Sequence, residues 1–376
     1  MTLIDPVALT QALVRCPSVT PADAGAQGVL RDALSILGFD CRDLPFGNIK
    51  NLLAHKGTAG PHICFCGHTD VVPPGDAGLW SCDPFAATVR DGKIIGRGTA
   101  DMKANIAAFV AAVSQFLNNK PDFKGAISFL ITGDEEADAI DGTAKVLAWM
   151  KDNNRLADFY LVGEPSNPDA LGDEIKIGRR GSLNGTLRVR GIQGHVAYPD
   201  RADNPLPKLI KLLEILSTHI FDMGTAHFAR TNLEITSIDV GNSAANIIPA
   251  SGAAHFNIRF NDTWTAATLT QKLQALLDGT GIAYDLNTFS NAEAFVTKVG
   301  VLTDLVSKAV SEVTGRTPRL STGGGTSDAR FAALYGPVVE CGLINKTIHK
   351  ADEHVEIEDL HTLTLIYRRI LENYFA

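Results

Sequence analysis

Apolar residues along this chain follow two patterns that alternate from one stretch to the next. Residues 62–66, 125–132 and 159–162 are short, nearly unbroken apolar runs. Each is too short for a helix and too apolar for a half-exposed strand, so each predicts a strand buried on both faces. Residues 51–55 predict another strand. Between these runs the apolar positions take a helical period: residues 5–16, residues 22–37 (Leu30, Ala33, Leu34 and Leu37 on one face, Gly38 as the cap), an Ala-rich stretch at 103–118, and a helix opening near Gly142. Arg90-Asp91-Gly92-Lys93 predicts a tight hairpin turn. Strand alternating with helix predicts the α/β class, a mostly parallel sheet with helices on both faces.

Near Arg179-Arg180-Gly181 the pattern becomes strict alternation. Leu187 and Val189 fall on one face, Arg188 and Arg190 on the other. A helix at 204–221 is opened by Asn204 as cap and Pro205 as first residue. Strands follow at 231–240 and 252–261, where Phe256, Ile258 and Phe260 face inward, then a helix at 265–278 and a strand at 283–289. The order β-α-β-β-α-β is that of a ferredoxin-like α+β unit. The α/β pattern then returns with a helix at 300–313, a glycine-rich loop at 323–326, a strand at 337–341, a loop carrying His349 and a helix at 358–373. The expectation is one discontinuous domain over residues 1–179 and 294–376, with an inserted domain over 180–293.

Length agrees with two domains, because 376 residues exceed one ordinary core. The 45% hydrophobic and 20% charged content is that of a soluble enzyme. A net charge of −8 without a basic block argues against nucleic acid or an anionic membrane as partner and leaves a small molecule as the expected ligand. No apolar run reaches the roughly 18 residues that span a bilayer, and the first residues show no signal-peptide pattern. Six cysteines lack the spacing of a disulfide framework; Cys64 and Cys66 alternate along one strand, as core residues do. The cytoplasm is the expected compartment.

The chemistry sits where the buried runs end. The run 62–66 leads into Gly67-His68-Thr69-Asp70, the run 125–132 into Gly133-Asp134-Glu135-Glu136, and the run 159–162 into Gly163-Glu164-Pro165. Asp101 opens the Ala-rich helix and His349 lies in the late loop. Ligands of open α/β sheets collect at the carboxyl ends of strands. Converging carboxylates must either hold protons or bind cations. Two histidines in the set favour cations, and imidazole with carboxylate suits zinc. If Asp101 bridges two ions, His68 and Glu164 complete one and Glu136 and His349 the other. Three carboxylates and a hydroxide then balance two divalent charges. Asp70 is expected to orient His68 without touching metal, and Glu135 to act as the base on the attacking water. No Gly-x-Ser-x-Gly elbow and no phosphate-binding Gly-Lys-Ser/Thr loop appears. His62 and the other remaining histidines are read as structural.

Gly67-His68-Thr69-Asp70, Gly98-Thr99-Ala100-Asp101-Met102-Lys103, Asp134-Glu135-Glu136, Gly163-Glu164-Pro165 and His349 together resemble the metal-site segments of the di-zinc aminoacylase and carboxypeptidase superfamily. A closer resemblance, to one biosynthetic deacylase within it, rests on residues 172–182, 191–199 and 324–331. The resemblance implies a zinc-peptidase-like catalytic domain holding two divalent ions, zinc first and cobalt as the alternative, and hydrolysis of a linear amide in amino-acid biosynthesis. It keeps a sister deacylase of acetylated amino acids or a dipeptidase as the alternative. It further implies a homodimer through the inserted dimerisation or lid domain, with His195 crossing from the partner to donate to the oxyanion, and a cis peptide after Asp101. The implied substrate carries several carboxylates. Arg179 and Arg259 are the candidates to pair with them, Gly325 and Thr326 beside Gly324 to cradle one with backbone N–H groups, and Ser182, Tyr198, Asn246 and Asn345 to add hydrogen bonds. The segment 137–140 is more acidic than the resemblance leads one to expect.

Overall fold

The computed structural model describes residues 2–58 and 60–376. They form two compact units, the first running to Gly178 and resuming over Thr297–Ser321 and Ser327–Ala376, the second made of Arg179–Val296 and Thr322–Thr326.

The first unit is built on an eight-stranded sheet in the order Asp40–Asp43, Leu52–Gly57, Ala126–Thr132, His62–His68, Phe159–Val162, Val338–Glu340, Glu174–Lys176, Arg319–Ser321. The four strands from Ala126–Thr132 to Val338–Glu340 are mutually parallel, while Leu52–Gly57 and Asp40–Asp43 join antiparallel at one edge. His62–His68 and Ala126–Thr132 are buried at every position, as strands covered on both faces must be. Helix Ala104–Asn119 lays Phe109 flat on Phe65, with ring centroids 4.3 Å apart, and Tyr367 of helix Ile357–Tyr374 meets both rings edge-on. A small antiparallel sheet of Thr88–Arg90, Lys93–Ile95 and His354–Glu356 lies beside it. Its hairpin turns at Asp91 and Gly92, both with positive φ (51° and 76°), as a type I′ turn requires.

The second unit has the expected β-α-β-β-α-β order. Its antiparallel sheet runs Asn232–Asp239, Ser251–Phe260, Gly181–Arg190, Asp285–Ala292. Leu183, Leu187, Val189, Phe256, Ile258 and Phe260 bury one face of it under helices Pro205–Thr218 and Ala266–Asp278. Asn204 caps the first of these through Leu206 N, with Pro205 as first residue.

Three expectations change. The helix placed at 22–37 begins only at Ala26, after a cis Thr20–Pro21 bond and a left-handed Gly25. The outer strands Asp40–Asp43, Glu174–Lys176 and Arg319–Ser321 carry too many charged residues to read as apolar runs. The glycine-rich loop, counted above with the first domain, clusters as Thr322–Thr326 with the second unit. There Thr322 Oγ1 donates to His227 O and Arg179 donates to Gly325 O at 2.9 Å.

Candidate metal centre

Parallel register decides where the chemistry meets. His68 pairs with Thr132, and Cys66 pairs with Val162, so three adjacent strands end at the same edge of the sheet. The residues just past those ends are therefore neighbours: His68 and Asp70, Glu135 and Glu136, and Glu164. Asp101 arrives from the irregular turn Thr99–Lys103 that winds into helix Ala104–Asn119; its bond to Met102 is cis. His349 comes from a loop at φ 60°.

Two imidazoles meet this group. His68 Nε2 lies 3.1 Å from Asp101 Oδ1 and 3.5 Å from Glu164 Oε1. His349 Nε2 lies 3.1 Å from Glu136 Oε1 and 3.5 Å from Asp101 Oδ2. Asp101 thus turns one oxygen to each histidine, the disposition of a bridging carboxylate. Ligand atoms of His68, Asp101 and Glu136 all lie within 4.8 Å of one another, as do those of His68, Glu135 and Glu164. The nitrogen and oxygen donors suit borderline-soft divalent ions such as zinc. The 4.8 Å grouping alone does not separate ligand from base, because Glu135 falls within it together with His68 and Glu164.

These contacts set the proton affinities of the group. His349 is pushed up to about 10 by its bonds to Asp101 and Glu136. For His68, burial alone would lower its value, but Asp101, Glu164 and Asp70 outweigh it and hold the ring well above 6.5. Burial would raise Asp101, yet its contacts with His349 and His68 prevail and hold it below the usual carboxylate range. Glu135 moves the other way: burial, then the charge of Glu164, raises it well above an ordinary glutamate. A carboxylate that binds protons tightly is suited to accept one near neutrality.

Asp70 departs from its expected contact. His68 Nδ1 donates to the Asp70 carbonyl oxygen at 2.9 Å, while the carboxylate stands 3.6 Å from that nitrogen. The carboxylate instead accepts from Glu135 N at 3.1 Å and Glu136 N at 3.0 Å. Asp70 therefore orients the imidazole with its main chain and the Glu135-Glu136 turn with its side chain.

Several side chains without an expected role support the centre. Glu353 is fully buried against the Gly98–Asp101 backbone. Asp134 accepts from Ala139, Ile140 and Asp141 N, which fixes the acidic segment after Glu136. Lys103, two residues after Asp101 in the chain, is buried, donates to Cys16 O, and is pushed down to about 8 by burial. Asp328 is buried and raised to about 6, chiefly by burial. The acidic pair Asp352-Glu353 close behind His349 was the available signal for Glu353; a lysine or carboxylate buried alone leaves no mark in the pattern.

Of the remaining candidates, Asn345 belongs to the first unit and is half-buried, with its N–H on Asn167 O. The others belong to the second unit. Arg179 and Ser182 are buried, and Asn257 donates to Ser182 Oγ. Arg259 is half-buried, facing away from Phe256, Ile258 and Phe260. Gly325 offers Arg179 its carbonyl, and Thr326 follows it. Tyr198, Asn246 and His195 are exposed. Ala197 N donates to His195 Nδ1, so the neutral ring carries its proton on Nε2, free to donate outward.

The sequence profile of Peptidase family M20/M25/M40 matches residues 64–373. A succinyl-diaminopimelate desuccinylase of Rhodospirillum centenum is 53% identical over 99% of this chain and 98% of its own length. A protein of the same name from Beijerinckia indica is 54% identical over 98% of each chain. Among solved structures, a dinuclear metal-binding M20 peptidase of Bacillus subtilis superposes with a TM-score of 0.70 at 15% identity, covering 97% of this chain and 96% of its own.

Proposed function

The chain belongs to Peptidase family M20/M25/M40, and from that premise we propose that it removes succinate from N-succinyl-LL-2,6-diaminopimelate, giving LL-2,6-diaminopimelate for lysine and cell-wall synthesis. The observation that carries the reading is identity above 50%, over nearly the whole of both chains, to relatives bearing that activity in their names.

Two divalent ions fit the donor set, with His68, Asp101 and Glu164 holding one and Asp101, Glu136 and His349 the other; zinc is proposed, with cobalt as the alternative. When bound, the pair supplies Lewis-acid polarisation of the amide carbonyl and lowers the pKa of attacking water from about 15.7 towards about 7. Glu135 takes the proton from that water and returns it to the departing amine. Asp70 keeps His68 and the Glu135-Glu136 turn in place. Arg179 and Arg259 are assigned the substrate carboxylates, a task their planar guanidinium groups suit. Gly325, Thr326, Ser182, Tyr198, Asn246 and Asn345 are carried as its further contacts.

His195 is assigned the donor to the oxyanion, supplied by the partner in a homodimer joined through the second unit. His195→Ala should lower kcat about 10²- to 10³-fold at unchanged dimer mass; an unchanged kcat removes it from the reaction. The cytoplasm is the proposed compartment, where six free thiols stay reduced.

Steady-state kinetics of the zinc-loaded protein, on N-succinyl-LL-2,6-diaminopimelate beside acetylornithine, test the whole reading. The succinylated substrate should be preferred by orders of magnitude in kcat/KM. A preference for acetylornithine would move the chain to the sister deacylases.

A further inference from the structure

Glu353 is fully buried, four residues beyond His349, and its carboxylate is saturated. Oε2 accepts from Arg97 Nη1 at 2.6 Å and from Gly98 N at 3.0 Å. Oε1 accepts from Ala100 N at 2.9 Å and Asp101 N at 3.1 Å. Arg97 is itself buried, with its guanidinium over the Trp80 ring. Three backbone donors within four residues, those of Gly98, Ala100 and Asp101, aim at one carboxylate and fix the path of the segment that presents Asp101.

The main chain of Glu353 grips the same segment. Its carbonyl accepts from Gly96 N at 2.8 Å, and His354 pairs with Ile95 in the small sheet. On the other side the His349 loop closes onto His354: Thr347 Oγ1 donates to His354 O at 3.0 Å and accepts from His354 N at 3.2 Å. One residue therefore joins the loop that carries His349 to the turn that carries Asp101, two segments distant in sequence.

We infer that Glu353 is a positioning residue that sets the spacing of Asp101 and His349 and so determines occupancy of the second metal site. The inference rests on the reading of those two residues as metal ligands. The first site depends less on Glu353, because His68 and Glu164 are held by the ends of the parallel strands. Neutralising the side chain breaks the arrangement even at equal size. The amide of Gln supplies a donor where all four partners are donors, so at least one contact becomes repulsive.

The test is Glu353→Gln beside wild type, each stripped of metal and titrated with Zn²⁺ in a calorimeter and with Co²⁺ by visible absorption. Wild type should take up two ions. E353Q should bind the second about 10- to 100-fold more weakly and the first within a few fold, the scale expected when a ligand's supporting partner is removed. The Co²⁺ absorption of the second equivalent should change, and kcat should fall with KM held within about twofold. If E353Q does not fold, Glu353→Asp keeps the charge with a shorter reach and should show the same weakening of the second ion to a smaller degree. A wild type that binds two ions, with variants of unchanged second affinity and spectrum, overturns the inference alone. A wild type that takes up no second ion overturns the metal assignment and this inference with it.

Discussion

Glu135 and Glu136 are adjacent in the chain, yet the structure gives them different surroundings. Glu136 meets His349 at 3.1 Å, while Glu135 has its proton affinity raised by burial and by Glu164. The division of labour is checked by Glu135→Gln: two metals should remain bound by elemental analysis while kcat falls about 10²- to 10⁴-fold. Loss of a metal together with activity would make Glu135 a ligand. His62 shows titration away from the centre. Burial first, and His55 next, push it down to about 4. Its ring bonds to Ser128 Oγ at 2.8 Å, and His55 bonds to the same hydroxyl at 2.9 Å. Above pH 6.5 the ring is neutral whether folded or unfolded, and stability is complete. As pH falls towards about 4, the unfolded chain binds a proton that the folded one refuses, and about 1–3 kcal/mol is lost. Thermal melts between pH 7 and pH 4.5 should therefore steepen less in His62→Gln; equal slopes would exclude His62 as a source.

At the scale of elements, the close approach of strand ends and the Asp101 turn decides the geometry. Gly163, just before Glu164, is packed so tightly that a Cβ would run first into the buried Phe65 ring and would stand 2.7 Å from Met102 Cε of the turn. Gly67, just before His68, meets the same methyl at 2.8 Å. The glycines that precede His68 and Glu164 are therefore there for room. Gly163→Ala should cost about 1–3 kcal/mol through overpacking and displace Glu164, weakening metal binding in parallel. Stability and metal uptake equal to wild type, by denaturant titration and calorimetry, would show that Phe65 and Met102 simply move aside. The strands that lead into the centre were legible in sequence because both faces are buried and most positions are apolar. Glu174–Lys176 and Arg319–Ser321 were not legible, because their charges pair with one another: Lys176 with Glu174 at 2.7 Å, and Arg319 with Glu174.

At the scale of the whole molecule, the metal centre and stability are linked. Asp101, Glu136 and Glu164 converge around His68 and His349, so bound ions stabilise the folded chain by mass action. A metal at a hundredfold excess over its Kd contributes about 2.7 kcal/mol. Chelation should lower the melting temperature, and zinc should restore it. As the proposed ligands, His68 and His349, the latter raised to about 10, would have to give up protons to the ions, so metal affinity should increase with pH. Calorimetric titrations at pH 6 and pH 8 check the sign; equal affinities would remove the histidines from the ligand set. Much of this was determined by the sequence alone: the α/β class, the inserted β-α-β-β-α-β unit, and the donors waiting at the ends of buried strands, because periodicity and strand-end chemistry are local. Tertiary structure alone decided that Asp101 turns one oxygen to each histidine, that Asp70 meets His68 through its carbonyl, that the glycine-rich loop joins the second unit, and that Glu353 ties the Asp101 turn to the His349 loop. Those contacts join residues far apart in the chain, and no local pattern encodes which distant partner a buried polar group will meet.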